Sequence, residues 1–97
     1  MAITRDFIVA YDICAPKRLR RVHRTMLGFG QAIQYSVFYC QCSPAQIHAM
    51  KLVLADLIDP REDQVIFVDL GFQTLRLDTI TSLGCARTRQ TREAIVV

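Results

Sequence analysis

The segment Asp6-Phe7-Ile8-Val9-Ala10-Tyr11-Asp12-Ile13 constrains the chain more than any other. It is a near-continuous apolar run that stops at a carboxylate, the pattern of a central strand covered on both faces. Shortly after it, Pro16 suits the first turn of a helix that runs to about Leu27, with Gly28 and Gly30 ending it. Leu19, Val22 and Met26 recur at i, i+3 and i+7 and define the core stripe of that helix. At about 100° per residue, Lys17, Arg20, Arg21 and Arg24 fall on the opposite side. The helix is sharply two-faced.

From about Ala32 to Cys42, Ile33, Tyr35, Val37 and Tyr39 alternate with Gln34, Ser36, Phe38 and Cys40 as in a strand. Ser43 is a natural N-cap, Pro44 takes the first helical position and Gln46 completes a capping box. Ile47, Met50, Leu54 and Leu57 form the buried stripe of this second helix. Asp59-Pro60-Arg61-Glu62-Asp63 is a polar turn, since proline favours an extended residue before it. Gln64 to Leu70 reads as a strand, followed by Gly71. Phe72 to Asp78 is ambiguous and open to a short helical turn, and Thr79 to Leu83 reads as a further short strand. The tail is polar and basic until Ala94-Ile95-Val96-Val97, an apolar end suited to adding to a sheet edge. This order predicts an α+β, ferredoxin-like sandwich with two helices on one face of an antiparallel sheet. Such folds place two strands between the helices, so Gln31 to Cys42 supplies one strand or bends to supply two.

A chain of 97 residues holds a single core, here residues 1–84 with 85–97 as a tail. A hydrophobic fraction of 52% excludes wholesale disorder. No apolar run reaches the ~18 residues of a membrane span. The N-terminus lacks a signal peptide's long apolar stretch, so a cytoplasmic protein without a membrane partner is expected. A domain this small buries only about 60–65% of its unfolded surface, so part of its apolar surface is expected to meet a second chain in a homodimer. The four cysteines form no C-x-x-C pair and only His23 and His48 could join them, a pattern of reduced thiols rather than a zinc site.

Asp12 carries the sharpest chemical signal. A carboxylate between an apolar strand and a basic helix is costly unless solvated, paired or metal-bound. It reads either as a surface acid near the helix N-terminus or as a ligand for Mg²⁺. The run Lys17 to Arg24 holds five formal positive charges and no acid, more than the whole net charge of +3. With no acid at i±4 to neutralise it, the stripe suits a phosphate backbone, which it would follow without reading bases. His23 falls between the two faces, nearer the apolar one, and suits a packed or hydrogen-bonded role, whereas His48 faces away from its helix's stripe. Tyr35, Phe38 and Tyr39 read most simply as core or dimer residues, with base stacking the alternative for one of them. Asp59, Glu62 and Asp63 read as loop acids rather than a metal cluster. No Gly-rich phosphate loop or nucleophile elbow is present.

Taken together, Tyr11-Asp12-Ile13, the basic helix and Gln34-Tyr35-Ser36-Val37-Phe38 closely resemble the second of the CRISPR-associated protein families, the small endoribonuclease of the spacer-acquisition machinery. Ile58-Asp59-Pro60-Arg61-Glu62-Asp63-Gln64-Val65 resembles the family's link into its later strand. With Gly30 and Leu83-Gly84, the likeness spans roughly residues 5 to 84. The resemblance implies a ferredoxin-like homodimer in which a C-terminal strand, here Thr79 to Leu83, packs against the partner's sheet. It implies that Asp12 is the catalytic, magnesium-binding aspartate, facing its twin across the dimer axis. Tyr11 and Phe38 would then support the site, and Arg18, Arg20 and Arg21 would hold flanking phosphates, with Lys17 and Arg24 extending the nucleic-acid-binding surface.

Two activities are implied. One is metal-dependent endonuclease cleavage of single-stranded RNA or double-stranded DNA. The other is a scaffold that bridges two integrase dimers and holds the spacer DNA. The tail Arg87 to Val97 matches no family pattern, and Ala94-Ile95-Val96-Val97 is expected to dock on the integrase by adding a strand. The alternatives are a toxin-like ribonuclease and a non-catalytic ferredoxin-like interaction module. The chain departs from the family where many members carry an acid shortly after the aspartate: Cys14-Ala15-Pro16 stands there, which argues for weaker metal binding, and Ala15 is a poor N-cap.

Overall fold

The computed structural model describes residues 3–72, 80–84 and 95–96. Strand β1 (Arg5–Asp12) leads into helix α1 (Pro16–Leu27), strands β2 (Gln31–Gln34) and β3 (Val37–Cys42), helix α2 (Pro44–Leu57) and strand β4 (Gln64–Gly71). The four strands form one sheet in the order β2-β3-β1-β4, every neighbouring pair antiparallel. This βαββαβ arrangement is the ferredoxin-like α+β fold that the order of sequence elements predicts.

Register decides which residues enter the core. Val9 lies opposite Phe38 on one side and Phe67 on the other, and Phe7 lies opposite Cys40. These odd-numbered β1 residues, with Tyr11, pack against Val22 and Met26 of α1 and Met50 and Leu54 of α2. Leu19, Ile47 and Leu57 flank that core, so both helical stripes face the sheet as their spacing predicts. Cys40 and Cys42, two apart on β3, both point inward and are buried free thiols. Burial pushes the Cys40 thiol up to about 12, Cys42 adding to it, which keeps it protonated and unreactive.

The expectation of a strand covered on both faces is corrected. β1 is central, but within the chain both helices lie on one side of it. Ile8 and Ala10 face the other way and are only half-buried, while Ile66, Val68 and Leu70 of β4 are 47%, 44% and 38% exposed. An apolar run shows that both faces avoid water; it does not show that one chain covers them.

The segment between the helices bends to supply two strands. Gln34 pairs with Val37 across a two-residue reversal at Tyr35-Ser36. Neither residue is the glycine or asparagine that usually marks so tight a hairpin, and no described non-glycine residue takes a positive φ. Gly30 precedes β2 where the chain passes close to β3. A Cβ there would stand 2.5 Å from both the Tyr39 carbonyl oxygen and Cys40 Sγ.

Helix α2 starts on the expected capping box: Gln46 N–H donates to Ser43 Oγ at 3.2 Å and Ser43 N–H to Gln46 Oε1 at 2.8 Å. The short strand β5 (Thr81–Ser82) falls inside the expected Thr79 to Leu83. It pairs in parallel with β6 (Ile95–Val96) in a separate two-stranded sheet, so these two tail residues lie beside a strand of their own chain. Phe72 lies in a turn; the rest of the ambiguous segment to Asp78, and Cys85, lie outside the described residues.

Candidate carboxylate and nucleic-acid site

Asp12 ends β1 opposite Gln64 and is exposed. It shares the helix-free face with Ala10 and Ile66, and a shallow depression is lined by these three with Tyr11 and Gln64. Among the described residues no group of three or more His, Cys, Asp or Glu side chains stands ready to hold a metal. Asp12 therefore offers one carboxylate beside the Gln64 amide, too few donors by themselves for an octahedral Mg²⁺ ion. The donor type fits the ion, and a second copy packed on the same face would bring a second carboxylate.

Tyr11 points the opposite way, into the core. Its hydroxyl donates to the Tyr35 carbonyl at 3.0 Å and lies 3.0 Å from His23 Nδ1, which is also 3.0 Å from that carbonyl. Burial, with Tyr35 adding to it, pushes the Tyr11 phenol up to about 12, so it stays a donor near neutral pH. Phe38 is fully buried, 6.1 Å from the Tyr11 ring and 5.6 Å edge-on from His23. Tyr11 N–H also donates to the Ser36 carbonyl at 3.1 Å, so the hairpin turn sits beside the Asp12 end of β1. Tyr11 and Phe38 thus hold the backbone that carries Asp12, and His23 is packed and hydrogen-bonded as its position between the two faces predicts. His48 is exposed.

On α1, Lys17, Arg20, Arg21 and Arg24 are exposed, and no acid pairs with them among the described residues. Arg18 differs. Its Nε lies 2.7 Å from Asp63 Oδ2 and its Nη2 3.2 Å from Asp63 Oδ1, with Glu62 Oε2 at 3.7 Å. The guanidinium expected to hold a phosphate is committed to the loop before β4.

Asp63 is the residue that sequence reasoning passed over as a loop acid. Its side chain is wholly buried and also accepts from the backbone N–H groups of Cys14 and Asp59, both at 2.9 Å. The Arg18 guanidinium, then these backbone donors, hold its carboxyl well below the usual carboxylate range against the opposing effect of burial. Asp63 ties Cys14, the residue before the N-cap Ala15, and the Arg18 side chain of the first turn to the loop before β4, while Ala15 itself makes no side-chain cap bond. No local signal points to it, because its partners Cys14 and Arg18 lie 49 and 45 residues away. Cys14 is exposed; its thiol donates to the Glu62 carbonyl at 2.9 Å and is shifted up, chiefly by desolvation and by Asp63. Among the described residues no helix is long and apolar enough to cross a membrane.

A family model described as CRISPR associated protein Cas2 matches residues 6–76. The CRISPR-associated endoribonuclease Cas2 1 of Rhodospirillum rubrum is 41% identical over 94% of this chain and 89% of its own length. The CRISPR-associated endoribonuclease Cas2 of Geobacter sulfurreducens is 34% identical over 94% of this chain and 96% of its own length. Among solved structures, Streptococcus pyogenes Cas2 is 37% identical with a TM-score of 0.64, covering 68% of this chain and 86% of that one. A Thermus thermophilus hypothetical protein, 23% identical, shares the fold with a TM-score of 0.69 over 75% of this chain and 89% of its own.

Proposed function

The chain belongs to the CRISPR associated protein Cas2 family, and on that premise we propose that it is a homodimeric subunit of the CRISPR adaptation machinery with Mg²⁺-dependent endonuclease activity. As a scaffold it bridges integrase dimers and holds spacer DNA; as an enzyme it cuts single-stranded RNA or double-stranded DNA. Support for the enzymatic part comes from the two relatives named endoribonucleases. The observation that carries the reading is the position of Asp12 at the rim of an apolar sheet face that the helices leave bare. Packing two such faces together removes Ile66, Val68 and Leu70 from water and brings two Asp12 side chains toward one axis.

Two carboxylates and waters suffice for Mg²⁺, with Asp12 of each chain as its ligand. A bound ion would supply an acidified water and charge to offset that developing on the phosphate. The chain's own groups do the positioning. Lys17, Arg20, Arg21 and Arg24 hold flanking phosphates, while Tyr11 and Phe38 fix the strand end beneath Asp12. Arg18, paired with Asp63, ties the start of α1 to the loop before β4.

Sedimentation of wild type and of an Ile66→Asp, Val68→Asp variant tests the reading. Both residues lie off the helix-covered core, so the variant should fold and yet sediment as a monomer without cleavage activity. A variant that stays dimeric, or a monomer that cuts as fast as wild type, would contradict it.

A further inference from the structure

The hairpin turn presents an aromatic surface that neither the core nor the Asp12 site uses. Tyr35 is 53% exposed although its ring lies flat on His23, with centroids 4.4 Å apart and planes 6° from parallel. One face of the phenol ring is therefore closed by imidazole, and the remaining exposure belongs to the other face and the edge. His23 is in turn held edge-on by buried Phe38. A carbonyl only accepts, so His23 Nδ1 carries the proton in its contact with the Tyr35 carbonyl, alongside the Tyr11 hydroxyl. Two donors on one carbonyl fix the turn, and the stack fixes the ring. An exposed aromatic anchored in this way loses little conformational freedom when a second flat group covers it.

Its neighbours say what that group is. Arg20 lies one helical turn before His23 and Arg24 follows it directly, both exposed and without an acid partner among the described residues. The Ser36 carbonyl accepts from Tyr11 N–H, which puts the turn at the Asp12 end of the sheet. We infer that the exposed Tyr35 ring, backed by His23, is a stacking platform for an unpaired nucleobase of a strand whose phosphates follow Arg20 and Arg24. The inference rests on the nucleic-acid reading above and adds a preference to it. Duplex bases have their faces taken by one another, whereas single-stranded RNA, single-stranded DNA or a frayed end offers a free one. Every base has a π-face, so the platform selects strandedness rather than sequence.

The experiment compares a short single-stranded oligodeoxynucleotide with an abasic strand of the same length, which keeps every phosphate and removes the bases. Wild type should bind the base-bearing strand more tightly by roughly 5- to 100-fold. Tyr35→Leu, with folding checked by thermal melting, should bind both strands alike at the abasic level, and Tyr35→Phe should restore the preference. Equal wild-type affinity for the two strands overturns the platform, as does a Tyr35→Leu loss of equal size on both. Absence of any salt-dependent binding by wild type overturns the nucleic-acid reading beneath it instead.

Discussion

Four donors converge on the buried carboxylate of Asp63: two from the Arg18 guanidinium and the backbone N–H groups of Cys14 and Asp59. Removing its charge leaves the Arg18 guanidinium with only Glu62 Oε2, at 3.7 Å, as an anionic partner, and breaking one side of such a buried pair costs more than the pair contributes. Asp63→Asn should therefore lower the melting temperature by several degrees at pH 7. Because the folded carboxyl titrates below its unfolded value near 4, the stabilisation is complete above about pH 4 and is lost as pH falls further. The deficit of Asp63→Asn should shrink in melts taken below that pH; a deficit independent of pH would assign it to packing alone. At Gly30 the constraint is steric, since an added Cβ meets the Tyr39 carbonyl at 2.5 Å. Gly30→Ala should cost about 1–3 kcal/mol in urea unfolding, as overpacked sites do.

At the scale of elements, local signals were legible and long-range ones were not. Helix α2 was readable from end to end because Ser43, Pro44 and Gln46 act within one turn. Ser43→Ala should cost about 1 kcal/mol by the same unfolding measurement, and an unchanged midpoint would deny the cap a role. The two-faced α1 was equally plain from its spacing, but the tie that anchors its start was not, since Asp63 lies 49 residues from the Cys14 N–H it binds. The hairpin hid for a different reason. Tyr35 and Ser36 continue the alternation of the flanking strands and carry no turn chemistry, so period alone could not place the reversal. As for the site, the place of Asp12 at a strand end and the free basic face were readable. That Arg18 is spoken for, and that Tyr35 stacks on His23, required the folded chain.

Across the whole molecule, the helix-covered core and the bare apolar face assign separate tasks to the two sides of one sheet. The basic face of α1 makes a further prediction: affinity for duplex DNA should fall steeply with salt. Replacing Arg20, Arg21 and Arg24 with Ala should flatten the log–log slope by up to about 3, close to one unit per lost phosphate contact. An unchanged slope would make the stripe a solvated surface. Deleting the last seven residues removes β6; if the tail docks on the integrase, the truncated protein should no longer co-purify with it. The most direct measurement compares wild type with Asp12→Ala on labelled single-stranded RNA and duplex DNA, in Mg²⁺ and in EDTA. Cleavage that requires both the metal and Asp12 is the expected result. Cleavage that survives Asp12→Ala, or none at all from a well-folded dimer, would contradict the catalytic assignment of Asp12.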